Sequence, residues 1–204
     1  MLIDTHCHLD FADFDAERDD IVARAHAAGV KQMVTISTRV QKLDTLLAIA
    51  DKYPSVFCSV GTHPNNAGEE LDIQTEDLVR LANSHEKIVA IGEAGLDYFY
   101  DTQTPADQKT GLLRHIAAAR ETGLPLVIHS RSADEDMAEI LKAESARFRE
   151  QKFTQRQHRR GLTTVVGPDQ KGGGACQVDS NGQELAEIRD LQVLDLHSLF
   201  LVTA

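Results

Sequence analysis

Short apolar runs that recur about every 30 residues, each followed by a helical pattern, limit what this chain can fold into more than any other feature. "LIDTHCH" (2–8), "QMVTIS" (32–37), "VFCSVG" (56–61), "IVAIGE" (88–93) and "LPLVIHS" (124–130) read as strands. Helical spacing follows them at 15–29, 40–54, 74–85, 108–123 and 133–144. In the second of these, Leu43, Leu46, Leu47 and Ala50 share one face and Pro54 lies beyond its end. Strands this continuously apolar belong to a parallel sheet covered on both faces, and the intervening helices supply the crossovers. The class is therefore α/β. No G-x-G-x-x-G or P-loop follows the first strand, which disfavours a nucleotide-binding doubly wound sheet and leaves a TIM-type (β/α) barrel. Five clear βα units fall short of the eight strands that close such a barrel, so the expectation is one incomplete barrel domain over 1–204 with an irregular carboxyl-terminal segment.

Polar residues fall where a barrel builds chemistry. His6 and His8 end the first strand, His63 follows the third, Glu93 closes the fourth and His129 ends the fifth. The carboxyl ends of barrel strands carry the functional groups. Side chains at i and i+2 point the same way along a strand, so the imidazoles of His6 and His8 converge. Two imidazoles beside a carboxylate make a nest for a divalent cation. Cys7 lies between them, faces the other way and reads as packing.

Composition narrows the partners. The net charge of −11 sits wholly in residues 1–143, where 24 Asp and Glu oppose 13 Lys and Arg; residues 144–204 hold eight of each. An acidic body repels polyanions unless a local site or bound cations override it, which argues against broad coating of nucleic acid. Three scattered cysteines (Cys7, Cys58, Cys176) make no disulfide framework and no C-x-x-C metal site. No apolar run approaches the roughly 20 residues of a membrane span, and "MLIDTHCH" has no leader pattern, so the expectation is a cytoplasmic chain with no membrane and no obligate protein partner.

"IDTHCHLDF" (3–11), "VGTHPN" (60–65), "IGEAGLDYFY" (91–100) and "GLPLVIHSR" (123–131) together resemble the TatD family of metal-dependent deoxyribonucleases, in the amidohydrolase-like barrel superfamily. The likeness runs from residue 1 to about 143. It implies that His6 and His8 are ligands of a first metal, that Glu93 bridges two metals, and that His129 is a ligand of the second. His63 matches the histidine of "G-x-H-P", placed beside substrate with a catalytic role or else ordering its loop. Asp97 and Tyr98 match the "GLDY" loop and shape the mouth where substrate binds. The implied cofactors are two divalent ions, Zn, Mg or Mn, and the implied substrate is DNA or another phosphodiester. Such an ester resists attack because its anionic oxygens repel a nucleophile, and paired cations neutralise that charge.

Two family features are missing. Neither an "H-C-F" histidine after a sixth strand nor a terminal "E-T-D" aspartate occurs. Thr154 stands roughly where the histidine belongs, and the nearby His158 sits in "QRQHRRG", which is no strand end. The run 147–160 carries six Arg and Lys, the triple glycine at 172–174 in "GPDQKGGGACQ" reads as flexible linker, and "NGQELAEIRDL" (181–191) reads as helix. The loss of rhythm and acidic bias after about 144 leads to the expectation of a shifted reading frame or truncated gene model there, which an unbroken frame at the locus would refute. Two other functions compete with the leading one. One is small-molecule hydrolysis of the amidohydrolase or phosphotriesterase type, which shares the opening H-x-H. The other is a remnant that binds metal or nucleic acid without turnover.

Overall fold

A computed structural model describes residues 2–100, 104–159 and 200–203, with side chains described through residue 148. Five strand–helix units follow one another: β1 (Leu2–Cys7), α1 (Arg18–Ala27), β2 (Val30–Thr35), α2 (Leu43–Lys52), β3 (Val56–Val60), α3 (Thr75–Ala82), β4 (Ile88–Asp97), α4 (Pro105–Thr122), β5 (Leu126–Arg131) and α5 (Asp134–Arg159). A further strand, β6 (Phe200–Thr203), pairs with β5 from Leu126↔Phe200 to His129↔Thr203. Every pairing is parallel and the sheet order is β1-β2-β3-β4-β5-β6. Each crossover thus steps one strand in the same direction. A doubly wound sheet reverses its strand order midway, so this connectivity is that of a barrel.

The chain divides into two compact units, residues 1–137 with 196–204, and residues 138–195. In the second, the described part is the continuation of α5 to Arg159. The expected linker at 172–174 and helix at 181–191 lie outside the described residues, as do the side chains of Thr154 and His158.

Local chemistry explains the elements. In α2, Leu43, Leu46, Ile49 and Ala50 are buried on one face, with Asp44 in the first turn and Lys52 in the last, each favourable to the helix dipole. Thr104 caps α4 by accepting from the Asp107 N–H at 3.2 Å, Pro105 follows it, and Gly123 ends the helix in the left-handed region. One face of the sheet packs Leu9, Val22, Met33, Ile49, Ala50 and Val56 together; Ile36, Ala90 and Val127 form a second cluster.

β4 departs from expectation. It runs to Asp97, four residues beyond the predicted stop, so Glu93 lies inside the strand rather than closing it. The β4–β5 register shifts between Ile91 and Ala94, then resumes with Ala94↔Ile128, Gly95↔His129, Leu96↔Ser130 and Asp97↔Arg131. Gly92 has φ +117°, a conformation open to glycine, and turns the strand immediately before Glu93. This irregularity aims the Glu93 side chain at the rim.

Behind the rim lies a polar layer. His115 on α4 is buried; its Nε2 accepts from the Thr62 N–H at 3.0 Å, and its Nδ1–H donates to the Gly111 carbonyl at 2.8 Å. Glu70, also buried, accepts from the Val40 and Gln41 N–H groups at 3.0 and 2.9 Å and from the Thr62 hydroxyl. Burial pushes the His115 pKa down to about 4. An unfolded histidine titrates near 6.5, so folding favours the neutral ring. Stability from this group is full above about pH 6.5, falls as pH drops through the interval, and levels off below about 4. The expected loss is about 3 kcal/mol. Urea midpoints measured from pH 7 to pH 4 should fall more steeply for the wild-type chain than for His115→Gln; parallel curves would show that the burial of this ring has no such consequence.

Candidate metal centre

β1 presents His6, and His8 follows directly at its carboxyl end. Their Nε2 atoms approach to 3.3 Å, with the rings edge to face. The Nδ1 of His8 lies 3.1 Å from the Ile36 carbonyl, an acceptor only, so a neutral ring carries its proton there and its Nε2 lone pair faces inward. Burial lowers the pKa of His6, against the opposing pull of Glu93, and its Nδ1 is a buried atom without a hydrogen-bond partner. Between the two rings, Cys7 donates its thiol to the Val34 carbonyl at 3.4 Å and packs into the core, and burial pushes its pKa up to about 12.

Glu93 is only 4% exposed and stands between two groups of imidazoles. Its Oε2 is 3.5 Å from His6 Nε2 and 3.9 Å from His8 Nε2, while its Oε1 is 3.1 Å from His129 Nδ1. Burial alone raises this carboxyl, but the hydrogen bond with His129 and the electrostatic influence of the facing imidazoles outweigh it and hold it below its ordinary value. The groups His6–His8–Glu93 and His63–Glu93–His129 each bring three potential ligand atoms within 4.8 Å of one another.

His129 is set by a second carboxylate. Asp97 Oδ2 lies 3.2 Å from its Nε2 and fixes a proton there. The Nδ1 lone pair of the neutral ring then faces the Glu93 Oε1 at 3.1 Å, a second acceptor, with the Nε2 of His63 3.2 Å away as the neighbouring donor. A cation placed there would serve both acceptors at once. The same holds across the first group, where an imidazole lone pair and a carboxylate oxygen converge. The residues present therefore fit divalent cations.

Asp97 itself is fully buried. Arg131 grips it through Nε at 3.3 and 3.2 Å and through NH2 at 2.6 Å, and the Phe99 N–H donates to Oδ1 at 3.1 Å. Burial pushes its pKa up, but Arg131 and these backbone donors bring it down to about 2. Gln108 on α4 clamps its backbone, accepting from the Asp97 N–H at 2.7 Å and donating to its carbonyl at 2.9 Å. The carboxylate expected to shape the mouth thus points inward, to His129 and Arg131. Tyr98 also turns aside: its hydroxyl donates to Asp136 at 2.7 Å in the first turn of α5. The sequence motifs single out neither Arg131 nor Gln108. Arg131 had a signal, since it lies two residues after His129 and shares its face of β5; Gln108 had none.

His63 joins the second group, its Nε2 3.2 Å from His129 Nδ1. Its Nδ1 accepts from the Asn65 N–H at 3.1 Å, which caps the short 3-10 turn Pro64–Glu69. Burial lowers its pKa to about 4, so the ring is neutral near pH 7 and its proton lies on Nε2. Distance alone admits His63 as a ligand. Its hydrogen bonding leaves no lone pair at Nε2 and favours a donor instead.

A parallel (β/α) sheet that gathers imidazoles and one shared carboxylate at a single rim is a barrel-type fold whose strand ends could hold divalent metal. Comparison with known proteins gives the family. The model of the TatD related DNase family matches residues 3–158, and the chain belongs to that family. The match and helix α5 both continue past residue 144, where the change of composition suggested a break. A metal-dependent hydrolase of Bacillus subtilis, YabD, is 36% identical over 148 residues, covering 72% of this chain and 57% of that relative. The 3'-5' ssDNA/RNA exonuclease TatD of Salmonella typhimurium is 34% identical over 140 residues, covering 69% and 54%. The crystal structure of YJJV, a TatD homolog from Escherichia coli, superimposes with a TM-score of 0.65 at 32% identity, over 70% of this chain and 56% of that one. The chain spans little more than half the length of these relatives. Among the described residues, no helix is long and apolar enough to cross a membrane.

Proposed function

We propose that the chain is a metal-dependent phosphodiesterase that acts on DNA, with His6, His8, Glu93 and His129 holding two divalent ions. The observation that carries this reading is the division of Glu93 between two imidazole groups, Oε2 toward His6 and His8 and Oε1 toward His129. Cations bound there would neutralise phosphate charge, acidify a water and supply the local attraction that an acidic chain lacks.

The remaining steps belong to the protein's own groups. Strand alternation turns both His6 and His8 inward, and the Ile36 carbonyl fixes the inward Nε2 lone pair of His8. Arg131 keeps Asp97 ionised, and Asp97 keeps the His129 proton on Nε2, so Nδ1 stays turned to Glu93. His63, neutral and protonated on Nε2, offers a hydrogen bond to a substrate oxygen at the rim. The exonuclease name carried by the Salmonella relative supports nucleic acid as the substrate class.

Turnover of single-stranded DNA and of small phosphodiesters, with Zn, Mg and Mn supplied in turn, tests the reading. DNA cleavage that His8→Ala abolishes is the expected result. Cleavage of small esters alone would replace this reading with small-molecule hydrolysis, and metal binding without any turnover would refute catalysis by this chain.

A further inference from the structure

Four aromatic side chains among the described residues are exposed by more than a third: Phe11 at 44%, Phe14 at 37%, Phe99 at 63% and Tyr100 at 47%. All four lie just after β1 or β4, the strands that carry His6 and Glu93. Exposed aromatic rings scattered over a surface need no explanation, but rings confined to the rim of one site do.

Their geometry separates two places. Phe11 stacks on His8 with centroids 4.7 Å apart and planes at 13°, so one of its faces is already used. Phe99 and Tyr100 meet edge to face at 5.0 Å and 82°. The Arg131 guanidinium lies over both rings, 4.3 Å from the Tyr100 centroid and 5.1 Å from that of Phe99. Asp97 holds this guanidinium and also touches His129. An aromatic pair backed by a cation that Asp97 anchors therefore stands one carboxylate away from the candidate metal ligands.

We infer that Phe99, Tyr100 and Arg131 form a stacking platform for an unpaired nucleobase of the strand whose backbone lies at the metal centre. The inference rests on the phosphodiester reading above and adds how the strand is held. An acidic chain gains little from general attraction to phosphate, whereas stacking on a neutral ring is indifferent to net charge. Every base has a π-face, so such a platform selects single strands without selecting sequence. A paired base keeps its faces in the duplex stack and cannot use it.

Binding of a short labelled thymidine oligonucleotide to the metal-loaded full chain tests this, read by fluorescence anisotropy with phosphorothioate linkages to suppress cleavage. Phe99→Ala should weaken binding roughly ten- to hundredfold, the range of one lost base stack. Phe99→Trp should retain it, and metal affinity by calorimetry should not change in either variant. Abasic sites should weaken binding to the wild-type chain but add little to the loss in Phe99→Ala, because both remove the same contact. In turnover the defect should fall on KM, with kcat near the wild-type value. If the wild-type chain binds the oligonucleotide and Phe99→Ala binds it equally well, the platform is wrong and the phosphodiester reading survives. If the wild-type chain binds metal but no oligonucleotide, both fail.

Discussion

Glu93→Gln is expected to remove cation binding from both imidazole groups at once. The substitution keeps the shape of the side chain and removes its charge. One of its two terminal atoms becomes an NH2 that can only donate, and it faces either the inward lone pair at His8 or that at His129. Whichever way the amide turns, one group loses an acceptor and both lose the negative charge they share. A carboxylate that stabilises charge by several kcal/mol corresponds to roughly a 10³-fold loss of affinity, and turnover should fall at least as far. His6→Ala touches one group only, so it should spare part of the binding. Calorimetric titration with Mn2+ or Zn2+ separates these outcomes: two equivalents for the wild-type chain, a partial loss for His6→Ala, and little binding for Glu93→Gln. Uptake should weaken toward acid pH, because cation and proton compete for the same imidazole lone pairs and for the shared carboxylate. Glu93→Gln binding two equivalents with unchanged affinity would dismiss Glu93 as the shared ligand.

What the sequence made legible follows from which signals are local. Apolar runs of strand length and helices with one buried face are local patterns, and all five βα units appear where those patterns lie. The convergence of His6 and His8 needs only the two-residue period of a strand. The local pattern ends β4 at Glu93, because that charge and Gly95 just beyond it break the apolar run, and glycine and acid locally signal a strand end. Its continuation is set by β5, a partner more than thirty residues away in sequence. Asp97 is placed at the mouth by the "GLDY" resemblance alone, and nothing near it in the chain reveals that Arg131 and Gln108 enclose it. The basic run after 147 changes the character of the sequence, yet its Arg, Gln, Lys and Glu are good helix formers, and the backbone of α5 continues through Arg159. β6 offers only four residues, too few to carry a period.

Gly95→Ala should be the most destabilising single methyl added to the described chain. A Cβ built at Gly95 would stand 1.8 Å from the His129 carbonyl oxygen, 2.8 Å from its carbonyl carbon and 3.0 Å from its nitrogen. All three are backbone atoms, so no rotamer change relieves the clash. Either β4 and β5 part at the Gly95↔His129 pair or the chain abandons this packing. A collision of this kind exceeds ordinary overpacking and should cost roughly 4 kcal/mol or more, a large share of what a domain has to lose. The damage should also reach the metal centre, because the same pairing sets His129 against Glu93 and Arg131 against Asp97. Gly111→Ala supplies the contrast. Gly111 lies inside α4, and a Cβ there would meet only the Ala67 side chain at an ordinary 3.8 Å. Relief of the glycine penalty in a helix should raise stability by up to about 1 kcal/mol. Urea melts of the two variants, each with and without added Mn2+, should therefore move in opposite directions, with metal-induced stabilisation kept by Gly111→Ala and lost by Gly95→Ala. A Gly95→Ala chain that melts within 1 kcal/mol (about a fivefold change in equilibrium) of the wild type and still responds to metal would mean that β4 and β5 do not approach as closely as their register requires.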